Sequence, residues 1–259
     1  MKFLINLILR KILIVNKLRN LYCFFRVFYY CKFKKSMKDL EIKSNEIWKH
    51  TLSSNKRVVY GKDINLPKHP SAKKIFDIGK SLDGSKTRWL MQVAERKHCI
   101  SDFKNLKILS IGPRSEGEIF YLYAKGFEFK NIYAIDLFSY SPLIDLCDMH
   151  NLKYDNETFD IVLMGWCLAY SNDKKKALLE SNRVLKKNGS LIIGHTMFVA
   201  SEEEIISRRG YVVASPYDKI KNKDELDSLI RSTNFKEYFS KPINYGNSNR
   251  IIYGASKLI

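Results

Sequence analysis

The feature that most constrains the fold of this 259-residue chain is a series of four mostly apolar runs between Lys107 and His195. They cover 107–111, 132–135, 159–164 and 190–193, and each is followed at once by a glycine or an aspartate: Gly112, Asp136, Gly165 and Gly194. Short continuous apolar runs are typical of strands buried on both faces of a parallel sheet. We therefore predict a doubly wound, Rossmann-like α/β sheet, whose glycine turns and acidic strand ends form a nucleoside-binding edge.

The same pattern predicts the other elements. Helices are expected at 85–101, at 115–125, from a cap at 171–173 to Leu185, at 202–208 and at 223–232; strands are expected at 107–112, 132–137, 159–165, 190–194, 237–240 and 250–255. Asn188-Gly189 should close the third helix, and a loop should hold Pro242, Gly246 and Asn247 between the last two strands, which form an antiparallel hairpin. The segment 138–146 is too short for a full helix. We predict a sheet of seven strands, mostly parallel, with an antiparallel last strand; six of the seven have the ranges given above.

The net charge of +18 is concentrated near the N-terminus. Residues 1–57 contain 14 Lys and Arg but 3 Asp and Glu, which accounts for +11 of that excess. We predict three parts: a basic, aromatic-rich N-terminal segment (1–58), a linker (59–84) that lacks periodicity, and the α/β domain (85–259).

Residues 1–38 have the composition of a basic amphipathic helix that contacts an anionic membrane surface. On a helical projection one side carries Lys2, Asn6, Arg10, Lys17 and Asn20, and the other carries Phe3, Leu4, Leu7, Ile14, Val15 and Leu18. Charges interrupt every long apolar window, so no spanning helix is expected, and no signal cleavage site is present. Packing on the domain or on a partner stays open as an alternative. Nucleic acid is the weakest one, because no RNA-binding signature is present. The expected location is cytoplasmic, peripheral on the inner face of the membrane.

The five cysteines form no C-x-x-C pair and have no histidine at zinc-finger spacing. We expect reduced thiols and no metal site.

Five segments in order resemble the class I S-adenosylmethionine-dependent methyltransferases of the type 11 group, over about 106–258. They are Ile108-Leu109-Ser110-Ile111-Gly112, Asp136 at a strand end, Asp148-Met149, Phe159-Asp160-Ile161-Val162, and Arg183-Val184-Leu185-Lys186-Lys187-Asn188-Gly189-Ser190-Leu191. The resemblance implies S-adenosylmethionine as cofactor. It also implies that the turn at Gly112 holds the methionine part, Asp136 the ribose, and Asp148 with Met149 the adenine.

The full set of candidate cofactor-binding residues follows the ends of these strands. It comprises Gly112, Pro113, Arg114, Glu116, Gly117, Asp136, Leu137, Asp148, Met149, Gly165 and Trp166. The first motif departs from the family pattern, since Ser110 stands where an acid is usual and Pro113 removes an N–H donor. Glu116 or Glu118 is a candidate to replace that acid and bind the cofactor's ammonium group.

If the acceptor is a hydroxyl, a general base is needed, and the candidates are His195 and Tyr170, with Asp173 as a further one. The segments 111–118 and 165–171 resemble methyltransferase-like proteins of bacterial surface-polysaccharide clusters, which suggests a small-molecule or glycan acceptor. Two other functions stay open: a non-catalytic scaffold and an NAD(P)-dependent oxidoreductase. The second lacks G-x-G-x-x-G, although Tyr121 and Lys125 form a Y-x-x-x-K pair.

Overall fold

The computed structural model describes residues 2–33, 85–113, 116–137, 139, 141–171, 173–197, 219–245 and 248–258. Its centre is a seven-stranded sheet in the order β3-β2-β1-β4-β5-β7-β6. The strands are β1 Ile108–Ile111, β2 Ile132–Asp136, β3 Asp145–Leu146, β4 Phe159–Gly165, β5 Leu185–Thr196, β6 Phe235–Tyr245 and β7 Ser248–Lys257. All neighbouring pairs from β3 to β5 are parallel, and β7 runs antiparallel to both β5 and β6. The predicted fold class is confirmed.

Helices cover both faces of the sheet. The helices in the described residues are α1 Lys2–Ile14, α2 Asn16–Phe33, α3 Ser85–Lys97, α4 Glu116–Ala124, α5 Lys174–Val184 and α6 Lys223–Arg231, and the last four cover the sheet. Apolar residues of α5 and α6 share one buried cluster with strand residues such as Val162 and Ile193. Residues of α3 and α4 share another with Ile108 and Leu163. Because the sheet is buried on both sides, its central strands have the unbroken apolar pattern seen in the sequence.

The strand order reverses at β1. The chain passes from β1 to β2 on one side and reaches β4 on the other side of β1. In open α/β sheets the crevice at such a switch point, outside the carboxyl ends of the strands, is where ligands bind. Gly112 follows β1 and Gly165 ends β4, so these two predicted site residues lie at this edge.

The expected turn at Asn188-Gly189 is wrong. Helix α5 ends at Val184, and β5 begins at the next residue. Asn188 has φ 59° and lies in a bulge, where the pairing with β4 shifts between Phe159 and Ile161. A side chain at Gly189 would lie 2.8 Å from the Lys186 carbonyl oxygen, which explains the glycine. The turn signal was real, but it marks an irregularity within a strand.

The last hairpin is longer than predicted. Pro242 was expected in a loop, but it lies in β6 and pairs with Ile251. A proline is tolerated there because β6 is the edge strand of the sheet. Of the described residues in 138–146 none is helical, as expected. The predicted helix 202–208, residues Gly246 and Asn247, and the proposed linker 59–84 lie outside the described residues.

The N-terminal segment forms two helices and not one. The break is at Val15, where Arg19 donates hydrogen bonds to the carbonyl oxygens of Leu13 (2.8 Å) and Ile14 (3.4 Å) at the end of α1. Both helices pack on α4 through a cluster that includes Leu13, Tyr22 and Phe120. Intramolecular packing, the alternative left open by the sequence, is therefore present in the structure. None of the helices within the described residues is long and apolar enough to cross a membrane.

Candidate functional site

The turn after β1 is built around Gly112. Its φ is +74°, a conformation that favours glycine, and its N–H donates to the Ile135 carbonyl oxygen at 2.8 Å. A Cβ atom at this position would lie 2.6 Å from Cβ of Cys167. Glycine is therefore required at this position by the backbone conformation and by the closeness of Cys167, whether or not a ligand also approaches it. The next residue, Pro113, is buried.

Asp136 ends β2 beside this turn. It directly follows Ile135, the residue that accepts the Gly112 hydrogen bond. Burial and the nearby Asp136 carboxylate both raise the pKa of Cys167. The Cys167 thiol donates to the Ile111 carbonyl oxygen at 3.1 Å. The structure therefore brings together the ends of β1 and β2 and the loop after β4.

The two acids considered for the ammonium group have different surroundings. Glu116 is fully buried, and Arg26 of α2 binds both of its carboxylate oxygens, at 2.7 and 3.3 Å. The Ser141 hydroxyl also donates to it. Glu118 instead accepts from the Thr87 hydroxyl at 3.2 Å, and its Oε2 is 3.9 Å from where a Cβ of Gly165 would lie. Of the two, Glu118 is the acid next to the end of β4.

Asp148, two residues beyond β3, belongs to a hydrogen-bonded chain. Its Oδ1 accepts from the His150 backbone N–H at 2.9 Å and lies 2.6 Å from His150 Nδ1. His150 Nε2 is 2.7 Å from the hydroxyl of buried Ser171. Burial works against ionisation of Asp148, but the hydrogen bonds from His150 outweigh it and lower the pKa of the carboxyl group. Asp148 is therefore held ionised, with both of these bonds on a single oxygen atom. Met149 beside it is buried.

The candidate bases lie near the ends of β4 and β5. His195 is fully buried, and burial, followed by the nearby Lys174 ammonium, lowers its pKa to about 4. Lys174 is itself buried and donates to the Ser171 carbonyl oxygen at 3.1 Å. Tyr170 ends a short 3-10 helix, Leu168–Tyr170, and is half-buried. Asp173 caps α5 by accepting from the Lys176 N–H at 2.9 Å, a structural role.

Trp166 packs in the interior. It has φ 64°, and its ring would lie 2.6 Å from a Cβ at Gly194, so the glycine gives room for the indole. It is 8 % exposed and its ring centre is 6.1 Å from that of Trp89 on α3. This position favours a packing role, and a contact between Trp166 and the cofactor stays a prediction.

Two residues of the segment 183–191, which resembles the methyltransferase family, make contacts that the sequence did not suggest. Arg183 donates to the carbonyl oxygens of Leu152 and Tyr154, at 2.8 and 2.7 Å, and so fixes the segment after Asp148. Lys186 binds both carboxylate oxygens of Asp160, at 2.8 and 2.9 Å. These contacts join segments that are 26 to 31 residues apart in the chain.

Three predicted cofactor-binding residues remain. Leu137 follows β2 and is half-buried, Gly117 lies in the first turn of α4, and Arg114 lies outside the described residues. The Y-x-x-x-K pair is engaged elsewhere: Arg19 stacks on the Tyr121 ring, and Lys125 pairs with Glu95. Among the described residues no group of histidine, cysteine and acidic side chains could hold a metal ion.

Comparison with known proteins supports the fold and the class. Residues 109–193, about a third of the chain, match the family described as "Methyltransferase domain". No match was found among curated proteins.

Several solved structures are similar at low identity. The MccD protein is 14 % identical over 65 % of this chain and 96 % of its own, with a TM-score of 0.51. A Listeria monocytogenes protein assigned as an S-adenosylmethionine-dependent methyltransferase is 13 % identical over 68 % of this chain and 100 % of its own (TM-score 0.50). A Burkholderia thailandensis N1-methyltransferase, solved with 1,6-didemethyltoxoflavin and S-adenosylhomocysteine, is 17 % identical over 77 % and 94 % (TM-score 0.49). At such identities the likeness to the first two structures shows the fold alone.

The family match and the strand order support a class I methyltransferase domain whose cofactor is S-adenosylmethionine. The residues present fit that cofactor. Its ammonium group, ribose hydroxyls and adenine amine are all hydrogen-bond donors. The carboxyl edge of the sheet provides three carboxylates: Asp136 at the end of β2, and Glu118 and Asp148 on the segments after β1 and β3.

Proposed function

We propose that the protein transfers a methyl group from S-adenosylmethionine to a small-molecule or glycan acceptor, at the cytoplasmic face of a membrane. The observation that carries the proposal is the arrangement of the Gly112 turn, Asp136 and the loop holding Cys167 at the switch point of the sheet. The match of residues 109–193 to a methyltransferase domain supports it.

Three acidic residues would hold the cofactor. Glu118 would accept from its ammonium group, Asp136 from its ribose hydroxyls, and Asp148 from its adenine amine. Met149 and Leu137 would supply apolar contacts. When bound, S-adenosylmethionine supplies an electrophilic methyl group on a sulfonium. The chain's part is to align the acceptor with that methyl group in a site closed to water.

A proton acceptor is needed if the acceptor is a hydroxyl. With a pKa of about 4, His195 is neutral at physiological pH and can accept a proton, but it is a weak base. Tyr170, a half-buried residue, is the other candidate, with its hydroxyl as a hydrogen-bond partner for the acceptor. We assign these two residues as the candidates for catalysis.

Calorimetric titration of the full chain with S-adenosylmethionine, and separately with NAD, tests the proposal against its alternatives. Binding of S-adenosylmethionine alone supports methyl transfer. Binding of NAD alone would indicate an oxidoreductase, and binding of neither a scaffold. Mass spectrometry of glycans and metabolites from cells with and without the protein would then identify the acceptor by its added methyl group.

A further inference from the structure

The outer side of the N-terminal helices is apolar. Ten large apolar side chains are exposed within residues 2–33. Leu7 and Ile14 lie outside the pattern, and the other eight recur at spacings of three and four. We call the following eight residues, which are between 41 % and 59 % exposed, the docking face: Ile5, Ile8, Ile12, Val15, Leu18, Leu21, Phe25 and Tyr29. Contiguous exposed apolar residues of this extent mark an interaction surface for a protein, a membrane or a ligand.

The inner side of the same helices is already occupied. Leu9, Leu13 and Tyr22 pack on α4. The arginines also point inward: Arg10 lies over the Tyr123 ring and pairs with Glu128, and Arg26 pairs with Glu116. The docking face is therefore not the side that folding buries against the domain.

The charge around the docking face favours an anionic surface. Residues 2–33 contain no aspartate or glutamate. Lys11 and Lys17 are exposed on these helices. A second copy of the chain would bring the same cations to a symmetric contact, where they repel each other. An anionic bilayer accepts apolar side chains and lysines at its boundary.

Helix α2 extends the docking face toward the cofactor edge. It runs antiparallel to α4, because Arg19 stacks on Tyr121 while Arg26 pairs with Glu116, the first residue of α4. The exposed residues Phe25 and Tyr29 lie at this end. The turn at Gly112 lies four residues before Glu116.

We propose that the docking face binds an anionic lipid bilayer and that, as a consequence, the methyl acceptor is a molecule carried by that bilayer. The lipid contact stands on its own, whereas the acceptor class rests on the proposed methyl transfer. The family match covers only 109–193 and does not reach these helices.

Sedimentation of the full chain with vesicles tests the lipid contact. Vesicles of phosphatidylcholine with phosphatidylglycerol, in a two-to-one ratio, should bind the chain, and vesicles of phosphatidylcholine alone should bind it more weakly. The triple variant Ile8→Ser, Leu18→Ser and Leu21→Ser should bind at least about tenfold more weakly. A matched control, Ile100→Ser, Leu179→Ser and Leu258→Ser, alters residues of similar size and exposure elsewhere and should bind like the wild type.

Charge variants give a second readout that does not depend on the apolar substitutions. Lys11→Gln with Lys17→Gln should weaken binding to the anionic vesicles by about fivefold per lysine. Lys130→Gln with Lys175→Gln, also exposed, should have no such effect. Equal binding of the wild type and the triple variant would overturn the proposal. The proposal would also be overturned if the wild type did not bind vesicles but formed a dimer, and the triple variant were monomeric.

Labelled S-adenosylmethionine separates the two parts of the proposal. With membranes and soluble extract of cells that make the protein, label should enter the lipid-extractable fraction. The triple variant should incorporate several-fold less, while its calorimetric affinity for S-adenosylmethionine is unchanged. Equal labelling of water-soluble molecules by both proteins would overturn the acceptor class. Absence of cofactor binding in both would refute the proposed function and leave the lipid contact standing.

Discussion

Glu116 and Glu118, two acids that lie two residues apart, have different surroundings in the structure. Glu116 is buried and neutralised by Arg26, whereas Glu118 contacts Thr87 beside the end of β4. The sequence suggested that one of them replaces the acid missing at Ser110, but it could not distinguish them. The distinguishing partner, Arg26, is 90 residues away in the chain.

Glu118→Gln should weaken S-adenosylmethionine binding by about tenfold or more, since a hydrogen bond to a charged group contributes about 1.5–3 kcal/mol. Calorimetry on the folded variant measures this. Glu128→Gln, which alters an exposed acid far from the edge, is the control and should bind like the wild type. An unchanged affinity of Glu118→Gln would remove Glu118 from the site.

His195 should make stability depend on pH. Its pKa is lowered from 6.5 to about 4, so between these values the unfolded chain binds more protons than the folded one. The free energy of unfolding should therefore decrease as pH falls from about 6.5 to 4, by about 3 kcal/mol from this group. Urea unfolding at several pH values measures the slope.

His195→Asn should flatten that slope, whatever its effect on stability at neutral pH. Burial also lowers the pKa of His98. The pH slope of His98→Asn is measured alongside, so that the contributions of the two histidines can be compared. A slope unchanged in His195→Asn would contradict the buried, neutral state of this residue.

At the scale of elements, the ion pair between α2 and α4 decides how the N-terminal helices are held. Arg26→Gln would leave Glu116 buried without its cation, and should lower the free energy of unfolding by about 3 kcal/mol. Arg10→Gln breaks a pair whose partner, Glu128, is 49 % exposed, and should cost about 1 kcal/mol or less. Denaturant unfolding compares the two variants, and equal losses would contradict the assignment of Glu116 as the buried partner.

The elements of the sheet could be predicted because their signals are local. Continuous apolar runs define β1, β2 and β4, and Gly112 marks the turn that its φ of +74° requires. The errors arose where tertiary context decides. Asn188-Gly189 is a helix stop in isolation, but here it forms a bulge in β5. Pro242 breaks most strands, and it is accepted only because β6 lies at the sheet edge.

For the molecule as a whole, periodicity gave the residues that share a helix face but not the direction in which the face points. The sequence grouped Arg10 with the polar side of one membrane-bound helix. In the structure Arg10 packs inward on Tyr123, and the apolar residues Ile8 and Leu21 are outside. Aromatic and acidic partners for the arginines come from α4 and from Glu128, about 90 to 118 residues later, and no local pattern reveals them.

The site shows the same limit. Asp136 and Asp148 could be chosen from the order of strands, because parallel strands bring their carboxyl ends to one edge. Two other features could not be predicted, because they depend on how the loops fold back. They are the hydrogen-bonded chain of Asp148, His150 and Ser171, and the contact of Arg183 with Leu152.

The most direct test of the central claim is the affinity of S-adenosylmethionine for the wild-type chain and for Asp136→Asn, measured side by side by calorimetry. The account predicts that the wild type binds S-adenosylmethionine and not NAD, and that Asp136→Asn, folded like the wild type, binds it at least about tenfold more weakly. Binding of NAD instead, or equal affinity of the two proteins for S-adenosylmethionine, would contradict a methyl-donor site at this edge of the sheet.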